Sequence, residues 1–280
     1  MKMNNKEVAK LAIKALLYEV SISPKAGLVS RLSNGSHKDM NFYTFIDSAL
    51  SLNNYFSECF VYGQENDFYS PSFFKNLRDL GKKAEKDMYQ ATNGVNTHKG
   101  TIFSMGIIIS VLASYLKEAD KIDLKVLSEK IKTMCSSLLE ELENTNNFFT
   151  YGEKAFKNHH LTGARGLALS GYDIALLDGI NKLKEFTKIL DFETSCILLL
   201  FYYISILDDT NIVNRANFET LKEIQILCKN LYEENSKSLS KEKIRNEMSK
   251  LNDIFIEKNI SAGGSADLLI LTIFIYILNI

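Results

Sequence analysis

The chain is 280 residues long, 46% hydrophobic and 24% charged, with a formal net charge of −1. That is the balance of a soluble globular protein. Its near-zero charge gives no global field to draw nucleic acid or anionic lipid, so neither is expected as a partner.

The length exceeds the commonest domain size of ~100–150 residues. No Pro- or Ser-rich linker and no fixed-period repeat divides the chain, so one domain over 1–280 is expected. Only two prolines occur, Pro24 and Pro71, which leaves helices free to run long. The cysteines, Cys59, Cys135, Cys196 and Cys228, are scattered inside expected helices with no metal-type spacing. They read as small buried hydrophobes in a reducing, cytoplasmic compartment.

In chain order, Lys6–Val20 carries apolar residues at Val8, Leu11, Ala12, Ala15 and Leu16, which is helix spacing. Lys14 and Glu19 break this run, so it fails as a signal peptide. Ser23-Pro24 ends it. Asp39 is placed to cap a helix over Met40–Tyr62, and Ser70-Pro71 to start one that reaches about Ala91. Thr101–Lys117 is strongly apolar and Leu124–Leu142 amphipathic. Asn144–Asn147 breaks the pattern, and Phe148–His160 is unassigned. A helical pattern returns over Ala164–Leu190, with an interruption near Gly171. Phe192–Leu207, Phe218–Glu233, Lys241–Asn259 and Ala266–Asn279 complete the set. The mixed charges of Lys229–Arg245 read as a solvated face. Cys196–Leu207 and Leu268–Leu278 are very apolar but short of the ~20 residues a membrane span needs, so buried central helices are expected. No segment alternates as an exposed strand does, and no Rossmann or P-loop motif is present. The expected class is all-α, with roughly ten to twelve helices.

Five polar, glycine-bearing islands separate these segments: SPKAGLVSRLSNGSHKD at Ser23–Asp39, GVNTHKG at Gly94–Gly100, TGARGLALSGYD at Thr162–Asp173, LDDTNIVNR at Leu207–Arg215 and SAGGSAD at Ser261–Asp267. Loops of this kind on a rigid scaffold are where a site is expected. Lys25, Arg31, Lys38, Lys99, Arg165 and Arg215 supply cations matched to phosphate oxygens. Helix starts after GVNTH and AGGSA would aim backbone N–H groups at an anion. Asp208 and Asp209 follow an apolar helix, and Asp208, Asn211 and Arg215 share a face if that helix continues. A carboxylate pair so placed suits Mg²⁺ held together with substrate phosphate, while helix capping with Arg215 as ion-pair partner is the alternative. His37 and His98 each precede a lysine and suit donor or general-acid work; His159 and His160 lie in unclear local structure.

These blocks together resemble the signature blocks of triphosphoribosyl-dephospho-coenzyme A synthases, in order, from about Val20 to Leu269. They depart from that pattern at Ala26, Ser30 and Leu167, where proline, aspartate and glutamate are expected. The resemblance implies a helical transferase that makes the prosthetic-group precursor of citrate lyase or malonate decarboxylase. ATP and 3′-dephospho-coenzyme A would be its substrates, and adenine its leaving group. On that basis Asp39, Asp208 and Asp209 are expected to supply Mg²⁺ ligation and a base. His37 or His98 would assist adenine, and the six cations would hold phosphates. Asn96, Asn211, Ser265 and Asp267 complete the expected substrate contacts. Rival readings are a diphosphate-handling helical enzyme, an ADP-ribosyl hydrolase and a non-catalytic nucleotide-binding module. The first predicts D-D-x-x-D motifs, whereas the single Asp pair here is followed by Thr210 and Asn211.

Overall fold

The structure is a computed structural model that describes residues 3–119, 121–143 and 151–279. The chain opens with α1 (Asn5–Ser21), α2 (Phe42–Ser51), α3 (Asn53–Glu65), α4 (Phe73–Ala91) and α5 (Lys99–Tyr115). Next come α6 (Leu124–Cys135), α7 (Leu138–Glu143), α8 (Tyr151–His159) and α9 (Gly163–Leu169), then a π-helical turn (Ile174–Gly179) leading into α10 (Ile180–Phe186). The last five are α11 (Phe192–Ile206), α12 (Thr210–Arg215), α13 (Phe218–Ser238), α14 (Lys241–Glu257) and α15 (Gly263–Leu278). No strand occurs among the described residues, as the sequence predicts.

Three helices that are apolar on nearly every side form the centre: α5, α11 and α15. A helix with no polar face has to be surrounded. α15 accordingly packs against α1, α5, α10, α11, α12 and the π turn. Both very apolar segments are therefore buried central helices, and no described helix is long and apolar enough to cross a membrane. One contiguous core runs from Val8 to Leu278; a smaller apolar cluster stands apart from it around Val20, Val29 and Met40. All four cysteines are buried and free.

The described residues form more segments than the ten to twelve expected, because local chemistry cuts the longer patterns. Met40–Tyr62 divides at Leu52, where the Ser51 hydroxyl donates to the Ser48 carbonyl and competes with the helical ladder. Ala164–Leu190 divides at Gly171 and Tyr172, which both have positive φ, +66° and +56°. Leu124–Leu142 divides into α6 and α7. Asp39 does not cap α2: Asn41 does, its side chain accepting from the Tyr43 and Thr44 amides. Ser70-Pro71 forms a preliminary turn, and α4 starts at Phe73. α8 fills most of the unassigned 148–160 stretch, whereas the expected break at Asn144–Asn147 lies outside the described residues.

Candidate active site

The islands meet at the first turn of α15. That helix starts without a side-chain cap of its own. Its orphan amides are answered from a distance by Asp209, whose Oδ2 accepts from Gly264 N at 2.9 Å and Ser265 N at 3.3 Å. The other oxygen, Oδ1, accepts from the backbone and side-chain nitrogens of Asn211 at 2.9 and 3.0 Å and so caps α12. Asp209 is 2% exposed; burial pushes its pKa up, and these four donors oppose the shift. The chain turns extended at Leu207, so Asp208, Asn211 and Arg215 do not continue α11 on one face. The amides expected to wait for a phosphate at AGGSA are thus occupied by a carboxylate of the chain itself.

Two residues along α15, Asp267 faces the start of α5. Its Oδ1 accepts from Thr101 Oγ1 at 2.5 Å, and a methyl added at Gly100 would lie 2.1 Å from its Oδ2. Glycine is what lets the two helix ends approach. Burial, with the charges of Asp209 and Glu19 in support, pushes the Asp267 carboxyl up to about 7 against the opposing Thr101 bond. Glu19, from α1, is ion-paired with Lys25 at 2.5 Å, and Lys25 also donates to the Glu19 carbonyl at 2.9 Å. At 1% and 2% exposure both are shut away from solvent. Burial raises the Glu19 pKa and lowers that of Lys25, while their contact opposes both shifts.

His37 and Arg215 join the Ser23–Asp39 island to the same corner. Arg215 donates to the Ser36 carbonyl at 3.0 Å and to His37 Nδ1 at 3.1 Å. A guanidinium only donates, so His37 carries its proton on Nε2 and gives it to Ser261 Oγ at 3.1 Å. Burial, with the Arg215 charge beside it, holds the ring neutral by lowering its pKa to about 4. The Gly94–Gly100 island supplies His98, bonded through Nδ1 to Ser48 Oγ at 2.7 Å. From the Thr162–Asp173 island, Gly163 approaches Thr210: an added methyl would lie 3.3 Å from its Cγ2. Tyr172, fully buried, feels the Asp267 charge from a left-handed backbone. Among the described residues, His98 Nε2 and Ser265 Oγ are buried with no hydrogen-bond partner. Buried polar atoms of this kind call for a water or a ligand.

The remaining expected residues lie nearer the surface. Arg31 pairs with Glu193 at 3.1 Å, and Lys99 with Glu85 at 2.9 Å. Asn96 accepts from the Lys99 amide at 3.3 Å. Asp208 turns outward to Lys222 at 3.0 Å, Lys38 is exposed, and Arg165 is half-buried on α9. Asp39 is 64% exposed and 3.9 Å from His37. Asp39, Asp208 and Asp209 therefore do not gather, and no three His, Cys, Asp or Glu among the described residues form a metal-binding group. With Asp208 held by Lys222 and Asp209 saturated by four donors, these three do not fit a protein-built Mg²⁺ site.

Residues 5–280 match the model of the CitG family, described as ATP:dephospho-CoA triphosphoribosyl transferase. The chain belongs to that family. Similar curated proteins include those of Streptococcus pyogenes serotype M49 (strain NZ131) and serotype M5 (strain Manfredo), each named probable 2-(5''-triphosphoribosyl)-3'-dephosphocoenzyme-A synthase. Each is 37% identical to this CitG-family chain over 284 residues, covering 95% of both proteins. No solved structure matches the chain.

Sequence reasoning missed Glu19, Ser48, Thr97, Thr101, Tyr172 and Glu193 around this CitG-family site. Glu19 left a trace: it lies three and four residues beyond Leu16 and Ala15, so it is a charge on the buried stripe of α1. Glu193 binds Arg31, Arg245 and the Ser23 amide at once, which nothing in its sequence neighbourhood announces.

Proposed function

We propose that this chain transfers the 5′-triphosphoribosyl group of ATP to the ribose 2′-hydroxyl of 3′-dephospho-coenzyme A and releases adenine. The observation that carries the reading is the convergence on the start of α15, where Asp209 holds the first amides, Gly100 and Thr101 meet the Asp267 carboxyl, and His37 reaches Ser261. Substitution at the ribose C1′ passes through a positively charged, oxocarbenium-like centre, which nearby carboxylates favour. The incoming hydroxyl needs a base. Asp267 suits that role, because its pKa of about 7 makes it a stronger proton acceptor than an ordinary carboxylate. Asp209 serves differently, by fixing where α15 begins.

Arg31, Lys38 and Lys99 reach solvent and can take the triphosphate. The ion pairs Arg31–Glu193 and Lys99–Glu85 are surface contacts worth about 0–1 kcal/mol each, so a polyphosphate can displace them. Magnesium enters with the nucleotide as MgATP, held through the triphosphate. Retaining the triphosphate on the transferred sugar makes it an anchor that orients C1′.

The test is to incubate the purified protein with ATP and Mg²⁺, with and without dephospho-coenzyme A, and to separate the products by chromatography. Free adenine that forms only when dephospho-coenzyme A is present is the expected result. Absence of adenine, or ADP-ribose as product, overturns the reading.

A further inference from the structure

Of the two island histidines, His37 has both ring nitrogens engaged, by Arg215 and Ser261. His98 does not. Thr97 Oγ1 donates to Ser48 Oγ at 2.6 Å, and among the described residues His98 Nδ1, at 2.7 Å, is the acceptor in reach of the Ser48 proton. Nδ1 is then the acceptor, and the ring hydrogen sits on Nε2. Nε2 is buried and without a partner, on a residue 2% exposed. Burial, with the Lys25 charge in support, lowers the His98 pKa to about 3, so the ring is a neutral donor at any working pH.

The surroundings of that donor are apolar. The His98 ring meets Phe45 at 5.0 Å and 79°. Phe45 belongs, with Phe42 and Val95, to the half-buried rim of the small cluster that stands apart from the main core. Phe42 follows the first island closely, and Val95 lies within the Gly94–Gly100 island whose last residue approaches Asp267. An apolar, partly aromatic rim beside a buried, unanswered N–H is the chemistry that accommodates a purine: ring faces against carbon, and a ring nitrogen as acceptor.

We propose that His98 Nε2–H donates to a ring nitrogen of the departing adenine, seated against Phe42, Phe45 and Val95, and that Ser48 and Thr97 are positioning residues that fix the tautomer. This rests on the transfer reaction proposed above. The C1′–N9 bond breaks with its electron pair on the base, and the 2′-oxygen of dephospho-coenzyme A bonds to C1′. The hydroxyl proton passes to Asp267, the departing adenine anion takes its proton from water, and Asp267 returns its own to solvent, so the protons balance. His98 keeps its own proton throughout and stabilises the charge that builds on the base.

The test compares base release from ATP and from N7-methylated ATP, whose base leaves as a neutral molecule without help. His98→Phe keeps the ring and removes the donor. It should lose about 100-fold in kcat on ATP while staying near wild type on the methylated nucleotide. His98→Gln, which restores an N–H, should recover most of that loss. Ser48→Ala should lower kcat on ATP with KM unchanged, and Ser48→Thr should restore it. Wild-type turnover of ATP by His98→Phe, or equal losses on both nucleotides, overturns the proposal. If His98→Phe does not fold, the Gln and Ser48 variants decide by the same comparison. A wild-type protein that releases no base from either nucleotide overturns the transfer reading itself.

Discussion

Asp267 draws its character from three neighbours. Thr101 gives it a single hydrogen bond, whereas Asp209 and Glu19 add negative charge to a half-buried position. A group titrating near 7 is mostly protonated at pH 6 and mostly ionised at pH 8, so a base role predicts kcat rising through about pH 7. Asp267→Asn should remove about 10²–10⁴-fold of the rate, read as adenine release across that pH range. Stability should move the other way. The folded pKa lies above the ordinary 3.8, so the folded state holds the proton more tightly. That contribution is complete below about 3.8 and is lost as pH rises to about 7, so Asp267→Asn should gain Tm relative to wild type at pH 8 but not at pH 4.

Among the elements, the approach of α5 to α15 is the most exacting. Gly100 lies in the first turn of α5 with ordinary helical φ, so alanine there gains up to about 1 kcal/mol of helix propensity. Its methyl would nevertheless meet the Asp267 carboxylate, which has to swing away and lose Thr101. Gly100→Ala should therefore cut turnover tenfold or more, on the order of a lost catalytic contact, with Tm nearly unchanged; activity assay and thermal unfolding on one preparation separate the two. The elements themselves were largely legible in the sequence, since apolar runs place the cores of α5, α11 and α15 and an amphipathic period that of α14. Their ends were not. Asn41 and Asp39 are both good caps on paper, and the choice between them depends on where the island folds back on α14 through Ser36 and Gly27.

For the molecule as a whole, the Glu19–Lys25 pair joins α1 to the first island inside the core. Removing one partner of a buried pair typically costs about 3–5 kcal/mol, because the other charge is stranded. Lys25→Met should lower the urea midpoint accordingly, and Glu19→Leu with Lys25→Met together should return most of the loss. This is also where the sequence was least informative. Lys25 and Arg31 belong to one island and look alike as cations, yet one is sealed in the core and the other is half exposed. Charge and glycine content marked the five islands; depth, and the partner that meets each charge, came only from the folded chain.

The carboxylate that starts α15 has a wider effect than holding a helix end. Because Asp209 is covalently part of the chain, the positive pole of the central helix is neutralised before any nucleotide arrives, and no passing sulfate or free phosphate can compete for it. Selectivity for a sugar-borne triphosphate is thereby left to side chains whose reach and spacing can discriminate, while the helix keeps to aligning the acid two residues further along.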